Sequence, residues 1–254
     1  MALKIKNILV SQPQPTTDKS PYFDISEKYN VKIVFRPFIK VEPILAKEFR
    51  TQRINILEHT AIIFNARHGI DHFFRLCEEL RITIPETMKY FCVSESVAVY
   101  LQRYIHYRKR KVFFGATGKF SELVVIMNKH LDEKYLFITS DVQNEETLSQ
   151  LEKTKIVLNK AVMYKTVSND FGPDEVFDYD MLLFFSPIGI ASLLKNFPNF
   201  VQGDIQIGCF GATTVQAVRD AGLRLDVEAP TPGVPSMTMA LENFLKENIK
   251  KARK

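Results

Sequence analysis

The sequence lacks the features that mark membrane-spanning and secreted chains. It has no run of about 18 apolar residues, so no membrane span is expected. Its first segment, MALKIKNILV, has neither the long apolar stretch nor the small-residue cleavage site of a secretory signal. Only three cysteines occur, widely spaced in apolar segments and without a CxxC pair, which is typical of buried thiols in a reducing compartment. These absences predict a cytoplasmic protein that does not bind membranes.

Motifs for cofactors, metals and nucleophilic catalysis are also missing. The segment CFGATT has no Lys-Ser/Thr after its glycine and does not form GxGxxG, so it predicts neither a phosphate-binding loop nor a dinucleotide site. No GxSxG motif is present. His68 and His72 are spaced i and i+4, but without an HExxH context we favour a solvent-facing pair over a pair of metal ligands. The sequence therefore predicts no cofactor and no metal.

What the chain does contain is enough apolar sequence for two cores. It has 254 residues, of which 46% are hydrophobic and 25% charged, a composition typical of globular domains. The length fits two domains of about 100–150 residues each. The net charge is +5 and the isoelectric point is near 9.0, but the basic residues are scattered. Such a surface suits a small polyanionic substrate; nucleic-acid binding has only the isoelectric point in its favour.

Short apolar runs alternate with segments of helical periodicity, which predicts α/β units on parallel sheets. The predicted strands are residues 7–12, 31–37, 61–65, 90–93, 111–114, 135–139, 155–158, 161–167, 180–185, 205–210 and 223–227. The predicted helices include residues 69–80, 96–105, 120–131, 189–197, 213–222 and 236–251.

A strand–loop–helix–strand–loop–helix block occurs twice in this pattern. The segment HTAIIFNARHGIDHFFRL aligns with YDMLLFFSPIGIASLLKN, and Gly69 falls on Gly189. The segment YFCVSESVAVYLQR aligns with IGCFGATTVQAVRD, and Ser94 falls on Gly211. The nearly constant spacing predicts two similar, flavodoxin-like lobes with parallel sheets.

Two extended segments, FRPFIKVEP (35–43) and KAVMYKTVSND (160–170), lie where the chain would leave and re-enter a lobe. If they pair as a two-stranded β connector, one lobe is inserted in the other. The predicted first lobe is then discontinuous, with residues 1–35 and 168–254, and the inserted lobe comprises residues 36–167.

Ligands of doubly wound sheets bind beyond the carboxyl ends of the strands. The loops at those ends are residues 65–69, 94–96, 115–118, 140–142, 186–189 and 211–214. Their small polar residues are typical of helix N-caps in any case. Several helix starts facing one cleft between the lobes would nevertheless make an anion site. Tyr164 would lie on the floor of that cleft, either as a structural residue or as a proton donor to a leaving oxygen.

Three segments resemble those of one enzyme family. LLFFSPIGI, CFGATTVQAVRDAGLRLDVEAPTPG and AVMYKT are similar to the corresponding segments of uroporphyrinogen-III synthases, whose two α/β lobes are joined by a two-stranded ladder. The resemblance covers nearly the whole chain. It departs at Gln12, where the family has arginine, at ITSD (138–141), and at Ser94 and Val97, which replace a glycine and a threonine in the first copy of the repeat.

The resemblance implies a lyase of the tetrapyrrole and heme pathway whose reaction needs no cofactor. The sequence has neither a heptad seam nor a large apolar face, so a monomer is expected. Its substrate would be hydroxymethylbilane, a linear tetrapyrrole, which it would cyclise with loss of water and inversion of ring D. In this interpretation Tyr164 assists departure of the hydroxyl, and Thr214 orients the substrate. The remaining candidate substrate-binding residues are Asn65, Gly69, Ser94, Ser96, Ser186, Gly189, Gly211 and Thr213. The alternative is a non-enzymatic two-lobed protein that binds or senses a small anion.

Overall fold

The structure is a computed structural model that describes residues 5–17, 19–142, 145–172 and 174–252. The strands within these ranges are β1 (Asn7–Val10), β2 (Lys32–Phe35), β3 (Ile39–Pro43), β4 (Ala61–Phe64), β5 (Lys89–Cys92), β6 (Val112–Phe114), β7 (Lys134–Ser140), β8 (Val157–Ser168), β9 (Met181–Phe184), β10 (Gln206–Phe210) and β11 (Val227–Ala229). The α-helices are α1 (Pro21–Tyr29), α2 (Ala46–Thr51), α3 (Arg67–Glu79), α4 (Glu95–Tyr100), α5 (Phe120–Met127), α6 (Glu145–Glu152), α7 (Pro187–Asn196), α8 (Ala212–Asp220) and α9 (Met237–Ala252). Residues 1–4 and 253–254, at the two ends of the predicted first lobe, lie outside the described residues.

The chain divides into two compact units. Unit 1 comprises Met1–Lys40 and Val167–Lys254, and unit 2 comprises Val41–Thr166. The five-stranded sheet has the order β11-β10-β9-β1-β2, and its neighbouring strands are parallel. Numbered along the chain within that sheet, the order is 2-1-3-4-5, which is that of flavodoxin-like folds.

The six-stranded sheet has the order β3-β8-β7-β4-β5-β6. The strands from β8 to β6 are parallel, and β3 pairs with β8 at one end. These two strands include residues 39–43 and 160–168 of the extended segments that the sequence predicts as the connector.

The repeated block is formed by β4-α3-β5-α4 in unit 2 and by β9-α7-β10-α8 in unit 1. Gly69 and Gly189 are each the third residue of a helix, after the N-caps Ala66 and Ser186. Ser94 and Gly211 are the N-caps of α4 and α8. Residues that align in sequence therefore have equivalent positions in the fold.

Both faces of each sheet are buried, which explains the continuous apolar runs of the strands. In unit 1, Ile8 and Val10 pack with α1 and α9, whereas Leu9 packs with α7 and α8 on the other face. In unit 2, Ile62 belongs to the cluster with α3 and α4, and Ile63 belongs to the cluster with α5 and α6. Among the described residues, no helix is long and apolar enough to cross a membrane.

Three predicted strands are wrong in detail. Residues 155–158 and 161–167 are not separate strands, because β8 runs unbroken from Val157 to Ser168. Residues 223–226 precede β11 rather than form it. Side chains form part of the bonding there, since the Arg224 N–H donates to Gln202 Oε1 at 2.6 Å and Asp226 Oδ2 accepts from the Ile207 N–H at 2.8 Å. The Asp226 N–H donates to the Ile207 carbonyl at 2.9 Å, just before regular pairing begins. The predicted helix 96–105 is also shorter, as α4 ends at Tyr100 and continues as one 3-10 turn, Leu101–Arg103.

Candidate active site

Each sheet has a point at which the order of its strands reverses, and ligands of doubly wound folds bind beyond the carboxyl ends of the strands there. In unit 1 this point lies between β1 and β9, and in unit 2 it lies between β4 and β7. The predicted loops 186–189 and 65–69 follow β9 and β4 directly. Sequence reasoning therefore selected loops that lie at both positions.

Tyr164 lies on β8, next to the end of β7. It pairs with Ser140 beyond a β-bulge between Thr139 and Ser140, and only 7% of its surface is exposed. Burial raises the pKa of Tyr164 above its ordinary value of 10.0, so the phenol stays protonated at neutral pH. Its hydroxyl makes no hydrogen bond in the described part of the chain and is not one of the fully buried unpaired atoms there, so the oxygen itself is accessible. The phenol is thus a proton donor available to a ligand.

The ring of Tyr164 stacks on the imidazole of His72. Their centroids are 5.3 Å apart and their planes are inclined by 21°. Nδ1 of His72 is buried and has no partner within the described ranges. Burial, followed by the charges of Arg75 and His68, lowers the pKa of His72 against an opposing effect of Asp71. A neutral imidazole therefore supports the tyrosine ring.

This contact corrects the expectation of a solvent-facing histidine pair. His68 is exposed, but His72 is half-buried beneath Tyr164. No sequence signal indicates the contact, because the two residues lie on elements that are distant along the chain. A period-3.6 reading of α3 shows only that His72 lies near its apolar stripe.

Asp141 fixes the backbone on both sides of Tyr164. Its Oδ1 accepts hydrogen bonds from the N–H groups of Thr166 and Val142, both at 3.0 Å. Its own N–H donates to the carbonyl of Tyr164 at 3.2 Å. Asp141 is the last residue of ITSD, one of the segments that depart from the family pattern. The carboxylate thus has a structural function that explains why it is tolerated there.

A cavity of about 540 Å³ opens at the carboxyl edge of the sheet in unit 2. It is lined by Asn65, Val93, Gly118, Lys119, Phe120, Ser121, Glu146, Thr147 and Gln150. Oδ1 of Asn65 and Oε1 of Gln150 are buried without a hydrogen-bond donor among the residues that the structure describes. Buried polar atoms are nearly always paired, so these two oxygens point to a ligand that donates hydrogen bonds.

The loop at residues 115–118 is held in one conformation at the cavity mouth. Glu122 accepts hydrogen bonds from the Thr117 N–H at 2.9 Å and from its hydroxyl at 2.7 Å, which lowers the pKa of the Glu122 carboxyl. A Cβ on Gly115 would lie 3.1 Å from Glu122 Oε2 and from the Val93 carbonyl, so a side chain would force this loop to move.

Ser94 and Ser96 lie close to this loop. Their hydroxyls are 3.1 Å apart, and a Cβ on Gly118 would lie 3.7 Å from Ser94 Cβ. The Ser94 side chain makes no capping bond to α4, so both hydroxyls keep hydrogen-bonding capacity for a ligand.

In unit 1 the start of α7 is already satisfied. Ser186 Oγ accepts a hydrogen bond from the Gly189 N–H at 3.3 Å and thereby caps the helix. A Cβ on Gly189 would lie 3.2 Å from Phe184 Cδ1, so the glycine also permits close packing of α7 on β9. Ser186 and Gly189 therefore both have a structural function. The sequence analysis had left two interpretations for these loops, helix capping and ligand binding.

The first N–H groups of α8 lack acceptors among the described residues. Gly211 has φ +92°, a conformation that favours glycine. The N–H groups of Thr214 and Val215 both donate to the Gly211 carbonyl at 3.1 Å. Those of Ala212 and Thr213 have no acceptor in the described part of the chain, so two N–H groups at the positive end of the helix dipole can bind an anion.

Thr213 and Thr214 differ in their surroundings. Thr213 is exposed, whereas Thr214 is 1% exposed. The Thr214 hydroxyl makes no hydrogen bond with the described residues and is not among their fully buried unpaired atoms, so it is accessible to a ligand at the start of the helix.

The predicted site residues thus fall into two groups. Tyr164, Asn65, Gly69, Ser94 and Ser96 belong to unit 2. Ser186, Gly189, Gly211, Thr213 and Thr214 belong to unit 1. Sequence reasoning missed His72, Lys119 and Gln150, of which only Lys119, beside the predicted loop 115–118, carried a positional signal.

Comparisons with known proteins agree with this architecture. The fold is similar to that of uroporphyrinogen-III synthetase from Helicobacter pylori, with a TM-score of 0.58, 16% identity, and coverage of 96% of this chain and 100% of that one. A mutant uroporphyrinogen III synthase from Thermus thermophilus gives a TM-score of 0.50 and 12% identity, with 97% and 99% coverage. No curated protein matches the sequence. The sequence model of the family described as uroporphyrinogen-III synthase HemD matches residues 23–239. The chain therefore belongs to the uroporphyrinogen-III synthase family.

Proposed function

We propose that the protein is a uroporphyrinogen-III synthase, a lyase that cyclises hydroxymethylbilane with loss of water and inversion of ring D. The observation that carries this conclusion is the family match over residues 23–239. The buried, protonated phenol of Tyr164 agrees with the chemistry that this reaction requires.

The reaction needs positioning and exclusion of water more than it needs a strong nucleophile. Loss of the hydroxyl from hydroxymethylbilane leaves an electrophilic azafulvene. Attack by the substituted carbon of ring D gives a spiro intermediate, and one carbon–carbon bond then breaks and another forms, which leaves ring D inverted. Because unaided closure gives the uninverted isomer, the enzyme has to hold the two ends of the substrate in one geometry.

We propose that Tyr164 donates its proton to the departing hydroxyl, which leaves as water. The pyrrole nitrogen conjugated to the broken C–O bond loses a proton, and reprotonation of the phenolate from solvent makes the net loss one water molecule. The support is that the phenol is buried and protonated, and that its hydroxyl has no partner among the described residues. General acid catalysis of this kind contributes about 10²–10⁴-fold to a rate.

His72 and Asp141 are proposed as positioning residues for this acid. The His72 ring supports one face of the phenol. Asp141 holds the backbone at residues 164 and 166. Neither side chain needs to contact the substrate, because their effect is to fix where the phenol oxygen lies.

We propose that the acetate and propionate groups of the substrate bind at helix starts and at Lys119. The free N–H groups of Ala212 and Thr213 are suited to one carboxylate, and the exposed amine of Lys119 is suited to another. Gly211 sets the direction of the N–H groups of Ala212 and Thr213. Thr214, a buried residue, orients the substrate beside these groups through its hydroxyl.

The remaining predicted residues of unit 2 are proposed to contact the substrate at the carboxyl edge of the sheet in that unit. The oxygens of Asn65 and Gln150 would accept hydrogen bonds from pyrrole N–H groups. Ser94 and Ser96 would offer hydroxyls at the mouth of the cavity. Gly69, like Ser186 and Gly189 in unit 1, would form the wall rather than supply a functional group.

The two units are proposed to be the two lobes of the enzyme, with limits close to 1–35 and 168–254 for the first and 36–167 for the second. We also propose that it acts in the cytoplasm as a monomer without metal or cofactor, and binds neither nucleic acid nor membranes. Light scattering of the active protein, and assays after dialysis against a chelator, test the monomeric state and the independence from metals.

An assay of the product isomer tests the function directly. Purified protein is given freshly made hydroxymethylbilane, and the uroporphyrinogen isomers are separated. We expect the type III isomer, whereas heat-denatured protein should give type I. Type I alone from the folded protein would contradict the proposal and favour the alternative, a two-lobed protein that only binds or senses a small anion.

A further inference from the structure

The backbone of β8 is irregular immediately before Tyr164. Val162 pairs with Thr139 of β7, but the next pair is Tyr164 with Ser140, so Met163 is an extra residue on β8. A bulge of this kind interrupts the regular ladder of hydrogen bonds and bends the strand. The position of the Tyr164 side chain therefore depends on what holds β8 on either side of Met163.

Before the bulge, β8 is held by a side-chain amide. The chain leaves β3 at Pro43 and forms α2, whose C-cap is Gln52. Gln52 Nε2 donates to the carbonyl of Val162 at 2.7 Å, and Gln52 Oε1 accepts from the N–H of Val162 at 2.9 Å. A neighbouring strand would bond the same two kinds of backbone group. Gln52 thus takes the place of one strand residue at the last regular pair before the bulge.

After the bulge, β8 is held by Asp141, which bonds the backbone at Tyr164 and Thr166. Tyr164 therefore follows one side-chain support and carries the other. Loss of the Gln52 amide would leave two half-buried backbone groups of Val162 without this partner, which favours a shift of the strand. Because the bulge already weakens the ladder there, that shift would be passed on to Tyr164.

We propose that Gln52 is a positioning residue for Tyr164. Its amide fixes β8 before the bulge, as Asp141 does after it, and so limits where the phenol oxygen lies. Both ends of the amide are bonded to the backbone, so Gln52 acts through Tyr164 and not by contact with substrate. The inference rests on the proposed role of Tyr164 as the acid. A catalytic group displaced by about 1 Å can lower a rate about 100-fold.

Unit 1 contains a matched amide that serves as a control. Gln202 Nε2 donates to the carbonyl of Arg224 at 2.9 Å, and Gln202 Oε1 accepts from the N–H of Arg224 at 2.6 Å. Gln202 and Arg224 precede β10 and β11, whereas the candidate loops of unit 1 follow the carboxyl ends of its strands. Loss of this amide removes the same two kinds of hydrogen bond in the unit that does not contain Tyr164.

Gln52→Met and Gln202→Met test the proposal, because methionine keeps the length of the side chain and removes these hydrogen bonds. We expect Gln52→Met to lower kcat about tenfold, since one of two supports is lost, and to change KM less than about twofold. Gln202→Met should keep the kcat of the wild type. Urea unfolding shows that both variants are folded in the assay. Amide hydrogen exchange at residues 162–166 should be faster in Gln52→Met and unchanged in Gln202→Met.

A double variant separates positioning from a general loss of structure. In Tyr164→Phe, adding Gln52→Met should not lower kcat further, because the group that Gln52 positions is absent. An equal fall of kcat with and without the phenol would overturn the proposal. So would a wild-type kcat in Gln52→Met, an equal loss in Gln202→Met, or unchanged exchange at residues 162–166.

The same assays distinguish this inference from the proposed function. If Tyr164→Phe loses activity and Gln52→Met does not, the acid role of Tyr164 stands and the role of Gln52 is refuted. If Tyr164→Phe keeps the kcat of the wild type, the acid role is refuted and the role of Gln52 with it.

Discussion

Tyr164 combines three properties that a buried general acid needs. Its ring is largely buried, its pKa is raised, and its accessible hydroxyl is free of partners among the described residues. Tyr22 provides a comparison, because it is 8% exposed and likewise has no side-chain hydrogen bond in the described part of the chain, but its ring packs edge-on against Phe35 rather than on His72.

We expect Tyr164→Phe to lower kcat about 100-fold, because only the proton donor is removed. Stability should change little, since the deleted hydroxyl has no partner to lose. Steady-state assays and urea unfolding measure the two effects. Tyr22→Phe should leave kcat unchanged, and an equal loss of activity in both variants would contradict the role of Tyr164.

The same phenol predicts the alkaline limb of the rate profile. The acid is active when protonated, and burial raises its pKa above 10.0. The kcat of the wild type should therefore not fall through ionisation of Tyr164 until the pH exceeds about 10, and the residual activity of Tyr164→Phe should lack that limb.

His72 should act through its ring rather than through its charge. His72→Phe keeps an aromatic face under Tyr164 and removes the buried, unpaired Nδ1, so we expect activity and stability near those of the wild type. His72→Ala removes the stack, and should lower the free energy of unfolding by about 1 kcal/mol beyond the lost burial and kcat about tenfold as the phenol becomes mobile. A wild-type kcat in His72→Ala would refute the positioning role.

For single residues, the sequence predicted the position in the fold better than the contacts of the side chain. Tyr164, Thr214 and Gly211 were selected from the sequence because they lie beside strand ends and helix starts. The His72 contact and the unpaired oxygens of Asn65 and Gln150 were not accessible, since they depend on which side chains meet across elements distant along the chain.

Helix starts show how one position in a repeat acquires different functions in its two copies. Ser186 caps α7 through a hydrogen bond from the Gly189 N–H, but its counterpart before α3 is Ala66, which has no capping side chain. Ser94, the N-cap of α4, makes no capping bond either. A serine at a helix start therefore does not by itself indicate capping.

Ser186→Ala should lower the free energy of unfolding by about 1 kcal/mol through loss of the cap. Ser94→Ala is the matched variant and should change it by less than about 0.5 kcal/mol, since no cap is lost. If Ser94 contacts substrate as proposed, its variant should raise KM instead. Urea midpoints and KM values of the pair separate the two functions, and equal destabilisation would contradict this distinction.

Most elements were predictable because both faces of each sheet are buried, so the strands read as unbroken apolar runs. The prediction of a strand at residues 223–227 was wrong for a physical reason. The alternation of Leu and polar residues mimics a strand, but the side chains of Gln202 and Asp226 take part of the backbone bonding there, and regular pairing with β10 begins only at Val227.

The whole chain carries its three thiols in its cores, with Cys209 in unit 1 and Cys77 and Cys92 in unit 2. The aligned segments showed in the sequence that the two units share repeated strands and parallel sheets.

The sequence did not show that the strands beside the repeated block come at different points of the chain. In the five-stranded sheet the block pairs with β1, which precedes it, whereas in the six-stranded sheet it pairs with β7, which follows it. Sequence spacing does not reveal this, because it does not show which strands become neighbours.

Burial raises the pKa of each thiol from about 9.0 to about 12. A raised pKa in the folded state means that the stabilisation is complete below pH 9 and is lost as the pH rises from 9 towards 12, since the unfolded chain releases these protons first. At pH 10 each thiol should lower the free energy of unfolding by roughly 1.4 kcal/mol relative to pH 7. Urea unfolding at pH 7 and pH 10 measures this difference, and each single Cys→Ala variant should reduce it by about the contribution of one thiol. An equal pH dependence in the wild type and all three variants would show that other groups, such as Tyr22, cause the alkaline loss.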